Sequence, residues 1–408
     1  MNILYINHYA GNPALGMEFR PYHLAREWVR AGHAVLVIGA TYSHVRARQP
    51  VAGDEQVDGI SYRWLPAPPY QGNGPGRVWN IASFLSRLWA QTGRLVREFR
   101  PDVVIASSTY PMDFWVARRI ARRAAALLVH EVHDLWPLSP IELSGMSPRH
   151  PFIRLCQAAE NAACRDADRV VSILPKVHAH LAAHGLDLAK LVIVPNGITP
   201  ADWQAGWQGE REPLRADVAA ALANMRAAGR VVVGYTGSMG LANALDVLLD
   251  AAARLRDTRL SFLIVGDGHE RERLVRRLAD ESLNQVVWLP PVPKAQMPAL
   301  LVAIDIAYLG WLRVPIYRFG IAPNKLMDYM AAGCVVLHSV EAGNDPVVET
   351  GCGLSVPPES PEAVAAGLLQ LAALSAAERA SMGRLGQAHV MAHHSWPVLA
   401  ARFLGSLA

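Results

Sequence analysis

The 408-residue sequence has little of several features, and each shortage narrows what the protein can be. Its four cysteines, at positions 156, 164, 334 and 352, form no C-x-x-C pair, which favours small buried residues in a reducing compartment. The longest apolar run, residues 297–312, contains Asp305 and is too short to cross a bilayer. Residues Met1, Asn2 and Ile3 run straight into a predicted strand, so we expect no signal peptide. A net charge of +4 is too small to indicate nucleic acid, so we expect a cytoplasmic protein.

Three ligand-binding signatures are also missing from the sequence. Gly11 and Gly16 are too far apart for the G-x-G-x-x-G dinucleotide fingerprint. His130 and His133 lie three residues apart on a β-rich segment, whereas the H-E-x-x-H metal motif needs two histidines at i and i+4 of a helix. No D-x-D pair follows a predicted strand. We therefore expect no metal and no cofactor.

Lysine is scarce, with four residues among 39 basic ones, and Lys325 lies in the most informative segment, residues 319–349. This segment predicts a loop, a short helix, a buried strand and a second loop. Pro323 suits the first residue of a helix, and Gly333 suits its end. A cation such as Lys325 in the first turn opposes the helix dipole unless an anion binds there. Asp328 projects beside Lys325, one turn later. The pattern indicates a binding site for a phosphate joined to a hydroxylated sugar. The alternative is that these residues form a solvated helix end with no ligand.

Both halves of the chain repeat the order strand, glycine turn, helix. Buried strands are predicted from NILYIN, HAVLVIGA, PDVVIASS, LLVHEV and RVVSIL in the first half, and from VVVGYTGS, LSFLIVGD, QVVWL, AIDIAYL and CVVLH in the second. This order predicts an α/β protein made of two doubly wound units with parallel sheets.

Arginine is concentrated on predicted helices between residues 78 and 123, including positions 118, 119, 122 and 123. We predict one continuous helix over residues 78–100 and a second from residue 115. Residues 1–200 carry 21 Lys and Arg against 15 Asp and Glu. A basic amphipathic helix can bind an anionic membrane peripherally, and a solvated arginine face is the alternative.

The sequence around Lys325, FGIAPNKLMDYMAAG, resembles the nucleotide-sugar site of the retaining glycosyltransferases of family 4, and the resemblance extends over nearly the whole chain. The family signature is E-x(7)-E before a turn like M-A-A-G. Asp328 takes the second acidic position, whereas Gly320 replaces the first. The segment looks most like a subgroup concerned with bacterial surface polysaccharides, in which the first acidic position is commonly lost and an Asn-Lys pair leads the helix.

The resemblance implies the GT-B architecture, in which two doubly wound Rossmann-like domains face a central cleft. It predicts an N-terminal acceptor-binding domain over residues 1–197 and a nucleotide-sugar-binding domain over residues 198–393. The C-terminal helix, about residues 394–408, would cross back to the N-terminal domain.

The resemblance also implies roles for particular residues. His133 would contact the transferred sugar with Asp134 as its structural companion, and Lys325 would stabilise the leaving diphosphate. The family often carries Arg and Lys where this chain has Ser238 and Asn243. The cationic role would then fall to Lys325, Arg318 or Arg20. The implied donor-binding positions are Gly16, Arg20, Gly237, Ser238, Gly268, Val292, Arg318, Asn324, Lys325 and Asp328.

The implied activity is the retaining transfer of a hexose or N-acetylhexosamine from a nucleotide diphosphate sugar, expected to be UDP-linked, in surface-polysaccharide synthesis. The acceptor would be lipid-linked or a saccharide, at the cytoplasmic face of the membrane. Two alternatives remain open. A nonhydrolysing sugar-nucleotide epimerase would need a carboxylate where Gly320 stands. A catalytically inactive nucleotide-sugar-binding protein would explain the losses at positions 238, 243 and 320.

Overall fold

The computed structural model describes residues 1–16, 19–72, 74–207 and 212–407 of the chain. The chain divides into two compact units. Unit 1 comprises Met1–Asn196 with Trp396–Ala408, and unit 2 comprises Gly197–Ser395. Each unit is a Rossmann-like parallel sheet covered by helices, which confirms the predicted fold class. In the described ranges, no helix is long and apolar enough to cross a membrane.

The strands of unit 1 are β1 Asn2–Ile6, β2 Ala34–Ala40, β3 Gly53–Val57, β4 Ile60–Leu65, β5 Val103–Ala106, β6 Leu127–Val132, β7 Arg169–Ser172 and β8 Leu191–Ile193. Most of them are apolar on both faces because helices cover the sheet on both sides, whereas β3, at the edge of the sheet, is polar and exposed. Their order across the sheet is β3-β4-β2-β1-β5-β6-β7-β8. Strands β3 and β4 pair antiparallel, and the other neighbours pair parallel.

The first seven helices belong to unit 1: α1 Phe19–Arg30, α2 Pro75–Ala90, α3 Thr92–Glu98, α4 Asp113–Ala124, α5 Leu138–Ser144, α6 Pro151–Asp166 and α7 His178–Ala183. The prediction of one continuous helix over residues 78–100 was wrong. The helix divides at Gln91, which caps α2. The physical reason lies in the next two residues, Thr92 and Gly93, which favour a helix interior less than the leucines and arginines around them.

In the part of unit 2 that the structure describes, six parallel strands follow the order β11-β10-β9-β12-β13-β14. They are β9 Val231–Ser238, β10 Leu260–Asp267, β11 Val286–Leu289, β12 Ile306–Gly310, β13 Val335–Ser339 and β14 Gly353–Ser355. Its helices are α8 Pro200–Trp207, α9 Ala216–Ala227, α10 Leu245–Arg254, α11 Arg271–Asp280, α12 Met297–Val302, α13 Asn324–Ala331, α14 Pro346–Thr350, α15 Pro361–Ala373 and α16 Ala376–His393.

The last helix, α17 Trp396–Gly405, returns to unit 1, as the resemblance implied. Leu399 and Phe403 are fully buried in the same apolar cluster as Trp28 of α1. The indole N–H of Trp28 also donates to the Ala400 carbonyl at 3.2 Å. Apolar burial and this hydrogen bond together fix the C-terminal helix on unit 1.

Parallel strands place their carboxyl ends along one edge of each sheet, where doubly wound proteins bind ligands. In unit 1, β1, β5 and β6 are neighbours, so the residues that follow them meet at that edge. In unit 2, β9 and β10 pair in register up to Gly237 with Gly266 and Ser238 with Asp267. These two edges contain the residues considered below.

Candidate active site

Lys325 lies in the first turn of α13 and reaches back to the carboxyl end of β9. The helix begins at Asn324, one residue later than predicted, with Pro323 preceding it. The Lys325 Nζ atom is 2.7 Å from the hydroxyl of Tyr235 and 3.9 Å from the centre of its ring. It is also 3.4 Å from Asn243 Oδ1. Within the described ranges no carboxylate forms an ion pair with this ammonium, and burial lowers the Lys325 pKa to about 7.

Glycines let the backbone approach this lysine closely. Gly237 has a φ of 125°, and a Cβ there would lie 2.9 Å from Lys325 Cε. Gly268 has a φ of 159°, and a Cβ there would lie 2.5 Å from the Met239 carbonyl oxygen. Side chains at these two positions would force either the lysine or the neighbouring loop to move. The Gly237 turn therefore meets Lys325 at the edge of the sheet, and the Gly268 turn packs against the Met239 backbone of the same loop.

Asp328 lies one turn after Lys325 and is half-buried. No donor in the part of the chain that the structure describes hydrogen-bonds to its carboxylate. Burial raises the Asp328 pKa to about 7, with Lys294 opposing the shift and Asp202 adding to it. A half-buried carboxylate without a hydrogen-bond donor is stabilised by a ligand that donates hydrogen bonds to it, such as a sugar hydroxyl.

The other predicted donor positions of unit 2 differ in their surroundings. Ser238 is exposed at the end of β9, and Asn324 is exposed at the start of α13. Val292 packs against the apolar core from the loop after β11. Arg318 is exposed, donates to the Pro315 carbonyl at 2.6 Å and lies over the Phe319 ring. Gly237 and Asn243 thus contact Lys325 directly, whereas Val292 and Arg318 contact other residues.

Gly320, which replaces the first acidic residue of the signature, has a φ of 90° and a ψ of 170°. This backbone region is open essentially to glycine alone. A glutamate at position 320 would therefore strain the loop. The local backbone conformation thus explains why glycine replaces the acidic residue. Glu349 of α14 accepts from the Asp345 N–H at 3.1 Å and so caps the start of its own helix.

A second polar cluster in unit 1 is centred on Glu131 of β6, which sequence reasoning missed. Glu131 is completely buried. Its Oε2 accepts from the hydroxyls of Tyr5 and Ser107, both at 2.6 Å, and lies 3.1 Å from His133 Nε2. These partners come from β1, from the end of β5 and from the end of β6. The signal available in the sequence was an acidic residue inside an otherwise apolar strand, where a charge needs partners.

Arg20 supplies the counter-charge for Glu131. Its Nε and Nη2 donate to Glu131 Oε1 at 3.0 and 2.8 Å, and other guanidinium hydrogens reach the carbonyls of Val194 and Pro195. Burial alone would raise the Glu131 pKa, but Arg20 and His133 outweigh it and hold the pKa well below its usual range. The sequence predicted that Arg20 binds donor phosphates, whereas the contacts seen here engage four of its five guanidinium N–H groups inside unit 1.

The partner of His133 also differs from the prediction. His133 Nε2 lies 2.8 Å from Ser107 Oγ as well as near Glu131. Asp134 instead accepts from the Leu135 N–H and from the Ser139 hydroxyl, so it organises the start of α5. Glu131, two residues earlier on the same strand edge, is the companion of His133.

The remaining positions have structural contacts. Gly16 has a φ of 91° and forms an isolated antiparallel bridge with Arg46. Asp166 and Asp168 have D-x-D spacing, but they precede β7 rather than follow a strand. Asp168 accepts from the Leu128 N–H at 2.8 Å, and Asp166 pairs with Arg118.

Comparisons with known proteins identify the class of protein that these two units form. Residues 16–197 match the family model described as a glycosyl transferase 4-like domain. Residues 230–373 match the model described as glycosyl transferases group 1. The chain is therefore composed of two glycosyltransferase-family domains, one in each unit.

Individual relatives agree with this class. Over 369 residues the chain is 25% identical to the Escherichia coli K12 protein named as a colanic acid biosynthesis glycosyl transferase, WcaI, covering 84% of this chain and 86% of that one. Sucrose-phosphate synthase of Thermosynechococcus elongatus has a TM-score of 0.72 at 17% identity, with 99% and 97% of the two chains covered. HepE of Anabaena, solved with UDP and glucose, has a TM-score of 0.68 at 16% identity, with 100% and 99% covered. These two structures show that the fold is that of the GT-B glycosyltransferases.

Proposed function

We propose that the protein is a retaining glycosyltransferase that transfers a hexose or N-acetylhexosamine from a UDP-linked sugar. The observation that carries the proposal is Lys325, a half-buried ammonium without a carboxylate partner in the described ranges, held against glycine turns at the carboxyl edge of a parallel sheet. A diphosphate would supply the missing negative charge. The first turn of α13 adds backbone N–H groups that have no acceptor within the helix.

Each donor-side residue has a distinct proposed role. As the bond from the sugar to the diphosphate breaks, negative charge grows on the leaving oxygen, and Lys325 stabilises it. The backbone at Gly237 and Gly268 allows the phosphates to approach. Asp328 accepts hydrogen bonds from the ribose hydroxyls. Relatives often have a cation at the position of Asn243, whereas Asn243 contacts Lys325. Lys325 alone then supplies the side-chain positive charge at the diphosphate.

On the sugar side we propose that His133 contacts a hydroxyl of the transferred sugar. Glu131 and Ser107 fix the direction of its ring and favour a protonated Nε2. The WcaI and HepE comparisons support a surface-polysaccharide role and a UDP donor, since those proteins carry the corresponding names and ligands. The acceptor is then a lipid-linked or saccharide intermediate.

The test is incubation with radiolabelled UDP sugars and a bacterial lipid extract. Label in the lipid fraction, or on an added saccharide, supports the transferase. Conversion of free UDP sugar to its epimer supports a nonhydrolysing epimerase, and retention of label on the protein without turnover supports an inactive binding protein. Lys325→Ala serves as the matched negative control because it leaves the fold of unit 2 without a new buried charge.

Donor use should be greatest near pH 7. In the free protein the pKa values of Lys325 and Asp328 are both about 7. Binding of the diphosphate needs the ammonium, so affinity falls as the pH rises above that value. Binding of ribose hydroxyls needs the carboxylate, so affinity falls as the pH drops below it. The measurement is kcat/KM for the donor against pH, which reports groups of the free enzyme.

Two variants separate the limbs of this profile. Lys325→Arg should flatten the alkaline limb, because arginine stays charged. Asp328→Asn should flatten the acid limb, because the amide does not titrate. A wild-type profile that is flat through neutral pH would contradict the assignment.

Turnover should not require a divalent metal at the diphosphate. Lys325 and the start of α13 supply the positive charge there, and the two aspartates with D-x-D spacing are engaged in structural contacts. Steady-state rates with EDTA should therefore match those with added Mn²⁺ or Mg²⁺. A loss of activity in EDTA that Mn²⁺ restores would show that the donor is held by a metal.

Peripheral membrane contact through α2 and α4 is our proposal for where the acceptor is met. Trp79 and Trp89 of α2 are 65% and 46% exposed, and the Arg119 guanidinium lies 4.3 Å from the centre of the Trp89 ring. Arg122 and Arg123 are exposed on α4. Aromatic rings and arginines side by side suit an anionic lipid surface.

Sedimentation with anionic liposomes tests this surface. Each exposed arginine should contribute about 1 kcal/mol at low salt. Arg122→Gln with Arg123→Gln should therefore reduce the bound fraction clearly. Arg118→Gln is the matched control on the same helix, because Arg118 is paired with Asp166 and should matter less. Equal sedimentation of all variants would mean that this is a solvated arginine face.

A further inference from the structure

Outside the residues discussed above, α6 and α7 of unit 1 bring three metal-ligand side chains together. They are Glu160 of α6, His180 of α7 and His184, which caps α7. Their ligand atoms all lie within 4.8 Å of one another. Glu160 Oε1 is 2.8 Å from His180 Nε2, and Glu160 Oε2 is 3.8 Å from His184 Nε2.

The hydrogen bonds around this cluster determine which nitrogen of His184 carries a proton. Gln157 uses one N–H on Glu160 Oε2 at 2.8 Å and the other on Asn161 Oδ1 at 2.9 Å. Gln157 therefore has no N–H left for His184 Nδ1, which lies 3.2 Å away. His184 Nδ1 is 2.9 Å from Asn161 Oδ1, an atom that can only accept, so Nδ1 is the protonated nitrogen.

The consequence concerns the other ring nitrogen. With the proton on Nδ1, the neutral His184 ring has a lone pair on Nε2. That lone pair faces the Glu160 carboxylate, which is also rich in electrons. Two acceptors facing each other are unfavourable unless a cation lies between them. An amide oxygen that orients a metal-binding histidine in this way is common at metal sites.

We propose that Glu160, His180 and His184 form a binding site for a divalent transition metal ion, with Zn²⁺ as the best match. Two imidazoles and one carboxylate are ligands that Zn²⁺ prefers, and three protein ligands leave a fourth position for water. Bonds of about 2.0–2.2 Å place two ligands of one ion at most about 4.4 Å apart, so small side-chain rotations would bring atoms that lie within 4.8 Å of one another onto one ion. Glu160 is 5% exposed and His184 is 24% exposed, so an ion would enter from the histidine side.

Sequence reasoning did not find this cluster because it looked for H-E-x-x-H and for D-x-D after a strand. Here the two histidines do have i, i+4 spacing, but the carboxylate lies 20 residues before the first of them. The inference depends only on contacts within unit 1 and is independent of the proposed function.

Zinc binding to the metal-free full-length protein, measured by competition with a chromophoric chelator, tests the proposal. The wild type should bind Zn²⁺ at this site, and X-ray absorption should show nitrogen and oxygen ligands only. His180→Ala with His184→Ala should abolish that binding. Asn161→Leu should weaken it by about 10–100-fold, since it frees the orientation of the His184 ring.

The chain contains its own control. His389 and His393 of α16 are another i, i+4 pair, with ring centres 4.9 Å apart. His389→Ala with His393→Ala should leave zinc affinity unchanged. If the His180 and His184 double variant fails to fold, the single substitutions His184→Gln and Asn161→Leu decide the question. Absence of zinc binding by the wild type, or equal affinity in the His180 and His184 variants, would overturn the proposal.

Discussion

Lys325→Ala should lower kcat by about 10²–10³ while changing the donor KM much less. Lys325 faces the group on which negative charge grows during bond cleavage, so its contribution is larger in the transition state than in the bound donor. Tyr235 and Asn243 hold the ammonium in place before the donor arrives, so little reorganisation is needed during the reaction. The measurement is steady-state kinetics against the donor at saturating acceptor.

Two comparison variants make this prediction specific. Lys325→Arg should restore activity only in part, because a planar guanidinium does not fit the space beside Gly237 that the lysine chain occupies. Asp328→Ala should raise the donor KM by about ten- to a hundredfold with a smaller effect on kcat, since ribose hydroxyls do not change charge. Normal turnover of Lys325→Ala would exclude it from catalysis. If Lys325→Ala mainly raised the donor KM and Asp328→Ala mainly lowered kcat, the nucleotide would bind along α13 in the opposite direction.

Glu131→Gln should lower the free energy of unfolding of unit 1 by about 3–5 kcal/mol. The substitution keeps the size of the side chain but leaves the Arg20 guanidinium, 5% exposed, without a counter-charge. The same change removes the group that orients His133, so kcat should also fall. Calorimetry resolves the effect if the two units unfold in separate transitions, and kinetics at a temperature below both reports the loss of activity.

The pH dependence and two controls identify the cause of this destabilisation. The folded-state pKa of Glu131 lies well below the ordinary glutamate value of about 4.3, so its contribution to stability is complete above that pH and is lost as the pH falls. The difference between wild type and Glu131→Gln should therefore shrink in acid. Asp54→Asn breaks an exposed pair with Arg63 and should cost at most about 1 kcal/mol. Arg20→Met combined with Glu131→Leu should recover much of the stability. A difference that does not depend on pH would mean that packing rather than charge is responsible.

Much of the donor side was readable from local sequence. Pro323 and Gly333 bracket one short helix, and backbone preferences that act over a few residues place Lys325 in its first turn. Glycines after strands β9 and β10 indicated close backbone approach, because positive φ and missing Cβ atoms are properties of single residues. The alternation of apolar strands and amphipathic helices likewise determined the two-unit α/β architecture.

The pairing of side chains was decided only by the tertiary structure. Glu131 meets Tyr5 across 126 positions of sequence and Arg20 across 111, because β1, β5 and β6 lie side by side in the sheet. Lys325 likewise meets Tyr235 across 90 positions. A residue's type limits what it can bind, but strand order, register and burial select its partner. For this reason the sequence alone determined that Arg20 begins an amphipathic helix and that His133 follows a buried strand, and the fold decided that both are bound to one buried carboxylate.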